Sequence, residues 1–529
     1  MIPSRSMYII PLAAILLSAC SSDDAPVVPV VDLSSTSHYF KTAESSRCAT
    51  FYKPQVGYVG DPMPFYDPVA KDFKIMYLQE FRPNQNTFHP FWCLTTSDAA
   101  NYTNIGEVIP TGTASELDAA LGTGCTIYNE ADRTYYTFYT GHSVNRSLTG
   151  IGEGVMMATS RDFKNWTKNT AFLISPEGEY DTTDFRDPCV FKGDDNRYHM
   201  VVSTRKEGKG TLAGYVSDDL RNWTSEGAFM TMMWDRFYEC PDVFKMGDWW
   251  YLVYSEQHAA VRRVQYFKGR TLDELRRCTA GDAGLWPDSR EGMLDSRSFY
   301  AGKTASDGKT RYIWGWCPTR PGEDNTNVGA YPAEPEWAGA LVAHKLVQNA
   351  DGTLSTHPVD AVRSKAAKAA DLKVMAKSGR ITQSGGKYTM SGDSHLLFNR
   401  LDRCNVISMT VTTSGDSDRF GISLGRGSDS DKYISLVFNP EGTGHRKINM
   451  EQEGKNGIGF VNGADGYLFD APADGRYDIT VMNDNSVVTV YVNGIATYTT
   501  RVYGLPQNCW SVNNYGGEIT LASVKVSHQ

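Results

Sequence analysis

A short pattern recurs along the first half of this chain and sets its architecture. Thr159-Ser160-Arg161-Asp162-Phe163-Lys164-Asn165-Trp166-Thr167 matches Val216-Ser217-Asp218-Asp219-Leu220-Arg221-Asn222-Trp223-Thr224, and Thr96-Ser97-Asp98-Ala99-Ala100-Asn101-Tyr102-Thr103 is a weaker copy. In each, Ser and Asp suit the cap of a tight connection, and the Trp or Tyr suits a plug between sheets. From about Tyr52 to Leu346, short apolar or alternating runs are separated by polar turns, with almost no long helical periodicity. That texture predicts many short strands. Units begin near Asp61, Gly124, Asp187, Cys240 and Ala301, a spacing of roughly 50 to 65 residues that suits propeller blades. The fourth unit lacks a clear copy of the turn. The expectation is all-β: a five-bladed β-propeller over 46–348.

After Leu346 the texture changes. Asn349-Ala350-Asp351-Gly352 reads as a turn, and Val362 to Lys377 is rich in Ala and Lys, which suits a short helix or a linker, so 349–379 is expected to be a linker segment. Alternation returns in Tyr477-Asp478-Ile479-Thr480-Val481-Met482 and Val487 to Val492, followed by the hairpin signal Asn493-Gly494. Residues 380–529 read as a C-terminal β-sandwich. This half shows no cluster of acid, base and nucleophile, so a packing or carbohydrate-binding role is expected of it.

Three acidic motifs carry the chemistry: Gly60-Asp61-Pro62, Arg186-Asp187-Pro188 and Glu239-Cys240-Pro241. Each places a carboxylate one or two residues before a proline that opens an apolar run. At the head of innermost propeller strands, such positions converge on one central funnel. Any one of these acids alone is more simply a turn residue. Three in register point to a hydrolytic site, because glycoside cleavage needs one carboxylate at the anomeric carbon and another to protonate the leaving oxygen.

Composition narrows the alternatives. The net charge is −9 with no basic cluster, which disfavours nucleic acid. Apart from Cys20, nine cysteines remain, an odd number without a C-x-x-C pair. That argues against a zinc site or a disulfide framework, and most are expected to be small buried hydrophobes. No metal and no cofactor are expected. At the N-terminus, Arg5, the apolar run Met7 to Leu17 and Leu17-Ser18-Ala19-Cys20 resemble a bacterial lipoprotein signal over 1–20, with Cys20 the lipidated residue. Residues 21–45 then form a tether. The expectation is a monomer that meets the membrane only through this lipid, facing the periplasm or cell surface.

The motifs, in this order, resemble glycoside hydrolase family 32, the invertase, inulinase and levanase family. The resemblance implies a five-bladed propeller with a C-terminal sandwich and retaining cleavage of β-fructofuranosides, in levan- or inulin-type fructans or fructo-oligosaccharides. It makes Asp61 the nucleophile, Asp187 the transition-state stabiliser and Glu239 the acid/base, with Arg186 beside the sugar. Met76-Tyr77-Leu78-Gln79 is similar to a family stretch whose Gln contacts substrate. Leu294-Asp295 with Phe299-Tyr300-Ala301, and Ile313-Trp314-Gly315-Trp316 with Glu336-Trp337-Ala338-Gly339-Ala340, are similar to the end of the propeller. Gln79, Asp295 and Trp316 are therefore expected at the substrate, and Trp92 is a further candidate for a sugar subsite. The first motif departs from the family pattern: Tyr58 replaces a Trp, and Gly60 and Met63 replace two Asn. Two alternatives stay open, an arabinosidase or xylosidase of a related five-bladed family and a surface glycan-binding protein without turnover.

Overall fold

The computed structural model describes residues 50–81, 89–143, 145–232, 237–257, 262–278, 292–319, 337–426, 432–454, 457–460, 466–503, 505 and 509–529. The signal 1–20 with Cys20, the tether 21–45, Cys48 and Glu336 lie outside them. The described chain is all-β, a five-bladed propeller followed by a β-sandwich, and its helices are three short ones.

Blade I is β1 (Tyr58–Asp67), β2 (Asp72–Glu80), β3 (Phe91–Thr96) and β4 (Thr103–Ile109). Blade II is β5 (Ala120–Asn129), β6 (Thr134–His142), β7 (Glu153–Ser160) and β8 (Trp166–Lys168). Blade III is β9 (Tyr180–Lys192), β10 (Tyr198–Lys206), β11 (Lys209–Ser217) and β12 (Thr224–Thr231). Blade IV has three strands, β13 (Tyr238–Met246), β14 (Trp249–Glu256) and β15 (Arg263–Gly269). Blade V is β16 (Tyr300–Ser306), β17 (Arg311–Pro318), β18 (Gly339–Gln348) and β19 (Leu354–His357). Strands β1, β5, β9, β13 and β16 each pack against the next, and Val59 opposite Gly339 joins the first blade to the last.

The recurring sequence pattern is one physical device. It joins the third and fourth strands of blades I, II and III. Asp162 Oδ1 accepts the N–H groups of Lys164 and Asn165 at 2.9 and 2.8 Å, and Asp219 Oδ1 those of Arg221 and Asn222, both at 2.8 Å. The third copy repeats this with Asp98 and the N–H of Asn101 at 2.7 Å. Each turn's aromatic residue serves the gap to the preceding blade. Trp223 meets Phe138 of blade II edge-on at 5.5 Å, Trp166 packs in the core shared with blade I, and Tyr102 accepts from Trp314 Nε1 of blade V at 3.0 Å. In blade IV the short helix Leu272–Arg277, capped by Thr271, stands in for the missing turn. Its Leu275 is buried in the core between blades III and IV.

The segment 349–379 holds a short helix, Asp360–Lys365, at the start of its Ala/Lys-rich stretch, and it is not a free linker. Strand β19 extends blade V, Lys368–Ala369 pairs with the last strand of the sandwich, and Val374–Ser384 is already a sandwich strand. Its Ala/Lys-rich stretch hid these pieces because edge strands need little apolar sequence. In the sandwich, the long strand Cys509–His528 pairs with Lys387–Phe398, Cys404–Thr413 and Phe420–Arg426, so it ties the layers together. Trp510 stacks on Phe398 at 4.4 Å in a core that runs through the whole domain.

Candidate active site

Every innermost strand carries one extra residue at the same level. The pairing register shifts between Gly60 and Met63 in β1, Gly122 and Gly124 in β5, Arg186 and Cys189 in β9, Glu239 and Asp242 in β13, and Tyr300 and Lys303 in β16. A bulge re-aims its side chain, here toward the axis. The residues in the bulges of four blades have positive φ: 31° at Asp61, 58° at Asp187, 49° at Cys240 and 54° at Ala301. A non-glycine residue adopts that conformation only where its surroundings enforce it, and such strain gathers at functional sites.

This register corrects one expectation. Asp61, Thr123, Asp187, Cys240 and Ala301 occupy the bulge itself, whereas Gly60, Gly122, Arg186, Glu239 and Tyr300 occupy the position before it. Asp61 and Asp187 are equivalent; Glu239 is offset by one residue, because Cys240 takes the bulge in blade IV. The offset gives Glu239 different partners from the two aspartates.

Asp61 is held on both oxygens. Trp316 Nε1 donates to Oδ1 at 2.8 Å and Thr123 Oγ1 to Oδ2 at 2.9 Å. Burial raises its pKa, the Trp316 bond opposes that, and nearby Glu239 raises it further. Asp187 is 3% exposed and accepts the Cys240 N–H at 2.9 Å, while its own N–H donates to Thr140 Oγ1 at 2.8 Å. Burial pushes the Asp187 carboxyl up to about 7; Arg186 works against this, and Glu239 and Asp61 add to it. Glu239 lies between a cation and a phenol. Arg186 Nη2 donates to Oε1 at 3.1 Å and Tyr300 OH to Oε2 at 2.5 Å. Arg186 is itself held by Asp184 at 2.5 Å and Glu153 at 3.2 Å, and its guanidinium lies 4.3 Å over the Phe237 ring. Asp61, Asp187, Glu239, Arg186 and Trp316 therefore come together.

Beyond the carboxylates the axis is closed by a second ring. Met63, Cys125, Cys189, Asp242 and Lys303 are equivalent positions. Met63 Sδ accepts the Gly124 N–H, Cys125 Sγ that of Val190, Cys189 Sγ that of Val243, and Asp242 Oδ2 that of Thr304. Buried Lys303 of β16 reaches across to β5 and donates to Gly124 O at 3.0 Å. These cysteines do more than fill space: they accept backbone hydrogen bonds between blades, and Met63 joins them.

Three expected substrate residues lie elsewhere. Gln79 is fully buried, and its Nε2 donates to Val56 O at 2.8 Å, fastening the segment before β1 rather than meeting the carboxylates. Trp92 packs in the core between blades I and V, opposite Tyr77. Asp295 belongs to the seam between propeller and sandwich. Its Oδ1 accepts from the N–H groups of Ser296 and Thr499, both at 2.6 Å, and its Oδ2 meets His344 Nε2 at 3.0 Å. Gln79 and Trp92 stand on the second and third strands of blade I, outside the innermost strands that carry the carboxylates, and Asp295 lies in the connection before β16.

Sequence reasoning passed over Thr123, Cys240 and Tyr300 as site residues, though each stood in a segment already read as the start of a unit. Aligning the five starts position by position would have exposed them. Trp337 stood in the segment likened to the end of the propeller but was not singled out: it reaches the site from the strand end before β18 and packs on Cys240, Tyr300 and Trp316.

With this geometry in place, the likeness to known proteins is informative. The Glycosyl hydrolases family 32 N-terminal domain matches residues 51–358, and the GH32, BT1760-like, C-terminal domain matches residues 352–526. Raffinose invertase of Escherichia coli is 27% identical over 69% of this chain and 71% of its own length. Sucrose-6-phosphate hydrolase of Escherichia coli is 25% identical over 70% and 72%. Among solved structures, sucrose-6-phosphate hydrolase from Lactobacillus gasseri superposes with a TM-score of 0.67 at 15% identity, covering 93% of this chain and 94% of that one. Fructan 1-exohydrolase IIa from Cichorium intybus gives 0.66 at 15%, covering 91% and 98%. These matches set aside both the arabinosidase alternative and the binding protein without turnover. The chain belongs to glycoside hydrolase family 32 and is a glycoside hydrolase of the β-fructofuranosidase type.

Proposed function

We propose that this enzyme is a retaining hydrolase of β-fructofuranosidic bonds, acting on fructo-oligosaccharides and fructans of levan or inulin type as well as on sucrose-type linkages. The observation that carries the reading is the pair of differently held carboxyl groups at one axis. Asp61 is fixed by Trp316 and Thr123, each taking one lone pair and leaving another for attack. Glu239 is gripped by Arg186 and Tyr300. In the first step Glu239 gives its proton to the glycosidic oxygen while an Asp61 oxygen bonds to the anomeric carbon, and the alcohol leaves. In the second, Glu239 takes a proton from water, the hydroxide bonds to the same carbon, and the Asp61 ester bond breaks. Two inversions give net retention. Asp187, carrying its proton to near neutrality, donates to or accepts from the ring hydroxyls, with Arg186 beside it.

The oligosaccharide part of this reading is supported by kinship of form. Solved neighbours include the Cichorium intybus exohydrolase in complex with 1-kestose and a Schwanniomyces occidentalis fructofuranosidase complexed with fructosylnystose. We further propose that the protein is a monomer displayed on a bacterial membrane by a lipid on Cys20, so that polymer reaches the funnel from outside the cell. Labelling with a radioactive fatty acid, lost in Cys20→Ala, tests the anchor.

Incubation with levan, inulin, 1-kestose, sucrose and arabinan, with products separated by chromatography and their anomers followed by NMR, tests the activity. β-Fructose should appear first. Asp61→Asn and Glu239→Gln should each lower kcat by about 10³-fold or more, because each removes a group that forms or breaks a bond. Near-normal turnover by Asp61→Asn, or release of the inverted anomer, refutes the assignment.

A further inference from the structure

Gly60, the residue before the nucleophile, is where the first motif departs most sharply from its family, which commonly places asparagine there. The structure shows what fills the space. A Cβ on Gly60 would lie 2.3, 2.6 and 3.0 Å from three carbons of the Trp337 ring, so glycine is required here by contact. Trp337 extends the wall that begins at Asp61. Its ring centroid is 6.3 Å from that of Trp316, the tryptophan bonded to the nucleophile. On another side it lies 4.7 Å from the ring of His89, tilted by 41°. His89 Nε2 stands 2.6 Å from Glu80 Oε2, and the two side chains are 15% and 4% exposed. The order is therefore nucleophile, Trp316, Trp337, His89, Glu80.

Resting on the β-fructofuranosidase reading, we propose that His89 is a substrate-binding residue: seated on Trp337 and oriented by Glu80, it contacts a hydroxyl of the sugar bound at Asp61. Two physical points support the assignment. Glu80 is an acceptor when ionised, so it orients the imidazole with Nε2–H toward itself, which leaves Nδ1 as an acceptor for a hydroxyl hydrogen. The indole of Trp337 gives the sugar an apolar surface beside that acceptor, the mixed lining that fixes a small polar ligand. An asparagine at position 60 would bring its own amide but displace the indole and, with it, the seat of His89. Glycine and histidine thus act as a pair: Gly60 admits the tryptophan, and His89 supplies a polar contact in place of the amide.

The test compares wild type, His89→Ala, His89→Gln and Gly60→Asn on sucrose, 1-kestose, levan and inulin, with fructose as product inhibitor and unfolding midpoints as the check on folding. His89→Ala should raise KM and the fructose inhibition constant about tenfold while kcat stays within about threefold, the size expected for one lost hydrogen bond to substrate. His89→Gln keeps an acceptor and should recover most of the loss. Gly60→Asn should reproduce the KM defect through displacement of Trp337. Unchanged KM and fructose inhibition in His89→Ala overturn the proposal, as does a defect confined to kcat or one that His89→Gln leaves unrepaired. A wild type that turns over no fructoside instead overturns the functional reading. Calorimetric titration of fructose and sucrose into the same proteins then decides on His89: equal binding by wild type and His89→Ala overturns it, and weaker binding by the variant upholds it.

Discussion

At the residue scale, the site gathers carboxyl groups that water would keep apart, and Asp187 shows the cost. Its pKa of about 7, caused by burial and raised further by Glu239 and Asp61, means that between about pH 4 and pH 7 the native protein holds a proton the unfolded chain has released. Stability from this group is complete below its ordinary pKa and declines as pH rises through 7. Asp187→Asn keeps an acceptor for the Cys240 N–H and removes the ionisation. It should be inactive, yet stabilised at pH 8 relative to wild type by an amount on the order of a few kcal/mol, with no such gain at pH 4. Urea unfolding at the two pH values measures this; equal differences at both would show that Asp187 is not the strained group. The aspartates were legible in the sequence because each precedes a proline in a repeated run. The offset of Glu239 was not, since a bulge adds a residue without changing the motif's appearance.

At the element scale, the turn between third and fourth strands repeats because its chemistry is local. One Asp caps two N–H groups, and one aromatic residue fills the gap to the preceding blade. Such a device must be written in consecutive residues, which is why blades I to III could be read directly. Blade IV could not: the helix Leu272–Arg277 does the same packing with Leu275, and nothing in its sequence resembles the turn. The two parts of the turn should separate by mutation. For Asp219, burial raises the pKa, but the N–H bonds from Asn222 and Arg221 outweigh it and hold the carboxyl at about 2. Its contribution is present above pH 4 and is lost as pH falls through 2. Asp219→Ala should cost about 1 kcal/mol at neutral pH, less as the pH approaches 2. Trp223→Ala leaves the cap and opens the gap between blades II and III, at a cost of about 3 to 5 kcal/mol with no dependence on acid. Chemical denaturation across pH distinguishes them, and a Trp223→Ala loss as small as that of Asp219→Ala would deny the plug its role.

At the scale of the whole molecule, the propeller and sandwich are joined by buried polar groups. Asp295 receives Thr499 and His344, His344 Nδ1 meets Tyr491 OH at 2.7 Å, and the Asp295 and His344 side chains are wholly buried. Around them Arg501 donates to Cys317 O and Pro318 O, and Phe51 N donates to Asp484 Oδ2 at 2.8 Å. These partners are scattered over four hundred residues and none recurs, so the sequence offered no pattern by which to pair them; Asp295 was mistaken for a substrate contact. Buried groups of this kind leave an unpaired donor or charge when one member is lost, which couples the two domains more tightly than an apolar contact of equal area. Asp295→Ala strands His344 and the Thr499 N–H, at a cost of about 3 to 5 kcal/mol. Calorimetry should then show one unfolding transition for the wild type and two for the variant, because the seam no longer forces both domains to melt together. Below the first transition, kcat per folded molecule should stay within about threefold of wild type, as the seam touches neither Asp61 nor Glu239. A much larger fall in kcat with an unsplit transition would return Asp295 to the substrate and remove it from the seam.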